Sequence, residues 1–225
     1  MMSITHSESI GSAFNFMVSH CLGESANATN INSKGSSGQM VEKLLGLSGS
    51  SSKAPDVQLK NGDEIEIKSC TVIPKTVGTQ LTHTFKEAQK ISQASAEDIL
   101  STPFHASFVA RKLKRIFLAV ITRQSNSQSL ISGILDINIP RVSPLLWSEI
   151  EQDYYRLQAL IAVEGWGSLS SSGKDLKYGR HLCLKTSGTK GNKTGRSFYL
   201  RSKSLALVCS ESVLNKSFSP GFILA

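Results

Sequence analysis

The sequence predicts a mixed α/β protein, with a core sheet flanked by helices. Three observations point there. A hairpin signal, Asn61-Gly62, sits inside a run of alternating polarity from Val57 to Ile73. A short, wholly apolar run, Ile116 to Ile121, reads as a strand. Segments of helical character are interleaved with these strands, as in GQMVEKLLGL, where Met40, Val41, Leu44 and Leu45 fall on one face.

Taken in order, Glu24 to Ser37 is rich in Ser, Asn and Gly and reads as a loop. A helix follows over Gly38 to Leu47, with Gly46 as its stop, and then a Ser-rich loop from Ser48 to Pro55. In the hairpin, Glu64, Glu66 and Lys68 share one strand face, and Ile65 and Ile67 share the other. Lys86 to Ser101 reads as a polar helix. The basic cluster ARKLKR (110–115) runs into the apolar strand, and a second strand region spans Asn126 to Ile139. Ser148 to Val163 reads as a helix, because Ser148 with Glu151 three residues later matches a capping box. Gly165 to Gly179 and Thr186 to Arg196 read as loops, His181 to Leu184 and Phe198 to Leu200 as strands, and Lys203 to Val213 as a helix. The pattern fits one unit, residues 1–225, with two lobes around a cleft.

The chain has 225 residues, a formal charge of +8 and a pI of about 9.4, which biases it toward anionic partners, nucleic acid first. The apolar run 116–121 is far short of a membrane span, so no membrane partner is expected. MMSITHSESIGSAF lacks the basic start and apolar block of a secretion signal. Cys21, Cys70, Cys183 and Cys209 form no CxxC pair, which argues against structural zinc and a disulfide scaffold. The expected location is a prokaryotic-type cytoplasm, with the thiols reduced and mostly buried.

The sharpest chemical feature is Pro55-Asp56 with Glu66-Ile67-Lys68 ten residues on. Phosphodiester hydrolysis uses a divalent ion beside the phosphate, and hard cations prefer carboxylates and water. Asp56 and Glu66 offer those carboxylates, brought together by the hairpin. Lys68 offers a cation to orient the attacking water or to stabilise charge developing on the phosphate. The same letters also arise from a ribbon with alternating charges on a wet face, where Glu66 and Lys68 are only a charged surface pair.

These motifs, taken in order with Gly38-Gln-Met-Val-Glu42, Lys112-Leu-Lys-Arg115, Ser143-Pro-Leu-Leu-Trp-Ser148 and Phe198-Tyr-Leu200, resemble the MutH family. That family holds a mismatch-repair nicking endonuclease and GATC-cutting type II restriction enzymes. The resemblance covers roughly Gly35 to Val213. It implies a restriction-endonuclease-like core whose two lobes clamp DNA, the catalytic lobe at about 35–125 and the recognition lobe drawn from about 140–215. It implies that Glu42 is a helix glutamate near the metal site, that Asp56 and Glu66 bind the metal, and that Lys68 is the catalytic lysine. Lys112 matches a lysine approaching both DNA and the active site. Tyr199 matches a tyrosine that contacts target bases and senses adenine methylation, and Lys185 stands where relatives carry a base-contacting arginine. The implied cofactor is Mg2+, with Mn2+ able to substitute, and the implied partner is double-stranded DNA.

There are departures. The Asp56–Glu66 spacing is longer than in the family, which makes Asp63 or Glu64 a competitor for the metal. KTSGTKGNK (185–193) replaces an arginine-proline-lysine run, so base choice is open.

From charge alone, Lys114 and Arg115 join Lys112 in a DNA-facing patch, and Lys190 and Lys193 in the glycine-rich loop suit phosphates. Leu145, Leu146 and Trp147 are expected in the core. His83 reads as an ordinary polar histidine, and a Ser/His/Asp hydrolase is disfavoured because no GxSxG elbow is present. Three functions compete. The first is a self-sufficient type II restriction enzyme leaving 5′-phosphates, needing no partner beyond a transient homodimer on DNA. The second is a mismatch-repair nickase, specific for the unmethylated strand of hemimethylated GATC and switched on by a MutL-like activator. The third is a DNA-binding module with a dead hairpin. The intact Asp56, Glu66 and Lys68 argue against the third, and the positive charge favours the first.

Overall fold

The computed structural model describes residues 3–27, 36–47, 54–125, 128–166, 179–186 and 196–224. The elements follow in chain order as α1 (Ile10–Cys21), β1 (Ser25–Asn27), α2 (Ser36–Leu44), β2 (Val57–Gln58), β3 (Glu64–Val77), β4 (Gln80–Phe85), β5 (Gln89–Ala94) and α3 (Ala96–Ser101). After these come α4 (Phe108–Lys114), β6 (Ile116–Arg123), β7 (Gln128–Ile137), α5 (Ile139–Val142), α6 (Pro144–Glu164), β8 (Leu182–Thr186), β9 (Arg196–Leu200), α7 (Ser202–Glu211) and β10 (Val213–Phe218). The protein is mixed α/β, as expected. The central sheet runs β1-β7-β6-β3-β2, with β10 also on β7 and β4 also on β3. Its β3–β6 pair is parallel, and the other pairs are antiparallel. A smaller antiparallel sheet runs β5-β9-β8.

The central sheet is covered on both faces, which explains the unbroken apolar run of β6. Ile116, Leu118 and Val120 pack on one side with Leu157 of α6, Val208 of α7 and Phe198 of the small sheet. Phe117, Ala119 and Ile121 pack on the other with α1, Val41 of α2, and Ile65 and Ile67 of β3. Each of the larger side chains among these contributes about 1.5–3 kcal/mol on burial. α1 is anchored by Phe14, whose ring meets Phe117 edge-on at 5.7 Å.

The hairpin forms where Asn61-Gly62 predicts it. Gly62 has φ 87, a left-handed conformation that glycine adopts without strain. Asn61 holds the turn by bonding the side chain and backbone of Asp63, at 2.8 and 3.1 Å. β3 runs further than expected, to Val77, and Ile65 and Ile67 are buried as the alternation requires.

Several expectations are corrected. Lys86 to Ser101 is no single helix: Gln89–Ala94 is a strand held by β9, and α3 begins only after the cap at Ser95. α6 starts at Pro144 rather than Ser148, since proline at the first turn presets φ. Ser148 and Glu151 therefore lie inside the helix, and Glu151 meets His105 at 3.1 Å. Leu146 is buried at 2% and Trp147 packs on Phe104, but Leu145 is 75% exposed at the start of α6. β5, from the 35–125 segment, belongs to the sheet of β8 and β9. No helix among the described residues is long and apolar enough to cross a membrane. All four cysteines are free thiols, and Cys21, Cys70 and Cys183 are buried.

Candidate active site

β2 pairs with β3 only through Val57↔Ile65 and Gln58↔Glu64. Beyond it, the Asp56 carboxylate takes the ladder position, with Oδ2 accepting the Ile67 N–H at 2.9 Å. This satisfies a backbone donor that would otherwise be left at the strand edge. It also fixes Asp56 beside Glu66 and Lys68, as the hairpin predicted.

Glu66 points away from the buried Ile65 and Ile67, toward α4. It is 1% exposed, so the wet-ribbon reading does not hold for this residue. The Glu66 N–H donates to Arg115 O at 3.0 Å, tying the strand to the end of α4. α4 is capped by Ser107 and pinned by buried Val109, Ala110 and Leu113. That orientation lays Lys112, 5% exposed, over Glu66, with Nζ 3.0 Å from each carboxylate oxygen. Lys68 Nζ also bonds Glu66 Oε1, donates to Ile67 O at 3.3 Å and lies 4.0 Å from Asp56 Oδ2.

Glu42 completes the group from α2, which crosses β3 with Gly38 close to Ser69. Burial holds the Glu42 carboxyl above its usual range; the nearby Asp56 charge adds to the rise and Lys68 opposes it. The Glu66 carboxyl is also raised. Burial is the main cause, against the lowering by Lys68 and Lys112, and Asp56 adds a smaller push upward. Three carboxylates thus face two ammoniums, leaving a local negative charge. Among the described residues, no three His, Cys, Asp or Glu side chains converge tightly enough to form a complete ligand cage. The donor set is carboxylate oxygen, suited to a hard cation held by one or two carboxylates and completed by water and phosphate.

The two competitors are engaged elsewhere. Asp63 is exposed and belongs to the turn. Glu64 forms a two-point ion pair with Arg111 of α4.

The expected DNA contacts separate. Lys114 is exposed. Arg115 turns away from the solvent patch, its Nε and Nη2 donating to buried Asp136 at 3.0 and 2.8 Å. The reason is local: α4 ends at Lys114, and Arg115 has extended backbone, φ −144 and ψ 124. Lys185 sits over the Tyr199 ring, 4.8 Å from its centre. Burial raises the Tyr199 phenol, with Cys183 and Glu87 adding to the shift. Lys190 and Lys193 lie outside the described residues. Sequence reading missed Lys90, which stands on β5 beside Tyr199, because its segment read as a helix.

Two histidines are accounted for structurally. His83 pairs with Pro74 on the far half of β3 and stacks on Phe222. His181 is buried between Ser204 Oγ (3.0 Å) and Glu149 Oε2 (2.8 Å). Ser204 is 4% exposed and its hydroxyl also bonds Arg180 O, so this trio braces α6, β8 and α7 and offers no accessible nucleophile.

Comparison with known proteins adds no relative: no family model matches the chain, and no curated protein matches it.

Proposed function

We propose that this protein is a sequence-specific, magnesium-dependent endonuclease of double-stranded DNA, of the type II restriction kind, leaving 5′-phosphates. The supporting observation is Glu66, a carboxylate buried to 1% exposure, clasped by Lys68 and Lys112 and set beside Asp56. Burying charge is unfavourable unless it is paired, and here the paired carboxylate also lies beside a second acid, Asp56, and shares Lys68 with it at the strand margin.

Asp56 and Glu66 would hold the ion. Bound there, magnesium supplies a Lewis acid for the phosphate and an acidified water. The chain's own groups have separate tasks. The Ile67 N–H fixes the Asp56 carboxylate. Lys112 fixes Glu66. Lys68, on the strand margin between the two acids, is placed to orient the attacking water and to stabilise negative charge on the phosphate. Glu42 adds negative charge from α2. The MutH resemblance, with its two-lobed DNA cleft, supports the same assignment of these residues.

The test is incubation of unmethylated and adenine-methylated plasmid with Mg2+, comparing wild type with Glu66→Ala and Lys68→Ala. Discrete fragments with 5′-phosphate ends, lost in both variants, are expected. No cutting at low salt overturns the stand-alone enzyme, and nicking only with a MutL-like partner reassigns the site to mismatch repair.

A further inference from the structure

Lys90 lies at the margin of this site, and neither motif nor charge cluster singles it out. It stands on β5 directly opposite Tyr199 on β9, and Tyr199 stands directly opposite Cys183 on β8. Opposed residues of antiparallel strands project from one face, with Cβ atoms about 4.5–5.5 Å apart. Lys185, two positions beyond Cys183, shares that face, its ammonium 4.8 Å from the Tyr199 ring centre. The other face is committed to the core through Ile91 and Phe198, so the strand cannot turn over.

The register slips between Lys90 and Ser92. Such a bulge re-aims a side chain, and bulges concentrate at sheet edges and beside active sites. Lys90 is exposed, and among the described residues it forms no ion pair. β5 packs against α4, the helix that carries Lys112. Burial lowers the Lys90 pKa, and the nearby Lys68 ammonium lowers it further. Two like charges brought together repel, and a phosphate between them reverses the sign of that interaction.

We propose that Lys90 binds a backbone phosphate next to the scissile one. Lys90, Tyr199 and Lys185 then form a continuous track that carries the cut strand from Lys68 across the small sheet. Lys90 is a positioning residue, sequence-independent by its chemistry. The inference rests on the endonuclease reading.

The test is fluorescence anisotropy with two 30-base-pair duplexes of unrelated sequence, in EDTA, from about 50 to 200 mM KCl. Wild type, Lys90→Gln and Lys90→Arg are compared, with thermal melts to check folding. Losing one phosphate contact lowers the log–log salt slope by about 0.9. The affinity advantage of wild type over Lys90→Gln therefore shrinks about 3.5-fold across that range, equally for both duplexes, and Lys90→Arg behaves as wild type. An unchanged slope in Lys90→Gln, a loss confined to one duplex, or no rescue by arginine overturns the proposal. If wild type still cuts plasmid in that case, the endonuclease reading stands without it. If wild type neither binds DNA nor cuts, both fall.

Discussion

Lys112→Met is the sharpest perturbation of the site. It removes an ammonium 3.0 Å from each oxygen of Glu66, where the two residues are 5% and 1% exposed. Deleting one partner of a buried pair costs about 3–5 kcal/mol, because the other charge is left uncompensated. Lys68 still touches Glu66 Oε1, which moderates the loss to about 2–3 kcal/mol. For a chain of this size that lowers Tm by about 4–12 °C. Adding Glu66→Gln removes the charge that Lys112 was balancing, so the double variant recovers much of the loss. Urea unfolding of wild type, both single variants and the double variant gives the coupling directly, expected above about 1.5 kcal/mol. A coupling below about 0.5 kcal/mol would mean that Lys112 does not compensate Glu66, and the reasoning behind the site would fail.

Two further predictions test neighbouring charges. The Glu42 carboxyl titrates above its ordinary value of 4.5, raised by burial first and by Asp56 second. The folded protein therefore holds this proton to higher pH than the unfolded chain does, and ionising it costs stability as pH rises from 4.5 through the folded value. Glu42→Gln should match wild type below that window and exceed it above by about 0.5 kcal/mol, read by calorimetry at acidic and mildly alkaline pH. An equal effect at both pH values would refute the electrostatic account. Arg115→Ala should cost about 2–4 kcal/mol, because it leaves buried Asp136 without a cation and with only the Asn215 amide, 3.1 Å from Oδ2, as a named side-chain donor, while the salt slope of DNA binding stays unchanged. Wild-type stability with a slope reduced by about one would instead make Arg115 a phosphate contact.

What could be read from the sequence was what is local. Asn61-Gly62 and the alternation of Ile65 and Ile67 fix a hairpin without help from the rest of the chain, and with it the approach of Asp56 to Glu66. The depth of Glu66 could not be read, because E-I-E-I-K describes a wet ribbon equally well. A helix some forty residues later decides the matter by laying Lys112 across it. β5 was missed for a related reason: its only large apolar residue is Ile91, and its strand character comes from pairing with β9, distant in sequence. α1 was legible in principle. Ser9 caps it, and Ala13, Phe14, Met17 and Cys21 recur at helical spacing.

ARKLKR shows how a charge run can mislead. It reads as one basic face aimed at DNA, yet Arg111 goes to Glu64, Lys112 to Glu66 and Arg115 to Asp136. Three cations of one short segment thus meet acids on β3 and β7, and the cluster acts as a brace between α4 and the central sheet. Of its basic residues, Lys114 alone is both exposed and without an ion pair among the described residues. On the proposed endonuclease reading, attraction for a DNA backbone comes from elsewhere, which shifts weight to Lys90 and Lys185 on the small sheet. The brace also shapes the chemistry. With Glu64 neutralised by Arg111 and Glu66 oriented by Lys112, Asp56 and Glu42 retain, among the described residues, Lys68 as their nearby cation. A site that stays locally negative inside a basic protein can draw in a metal ion, and the ion then offsets the repulsion that a phosphate would meet there.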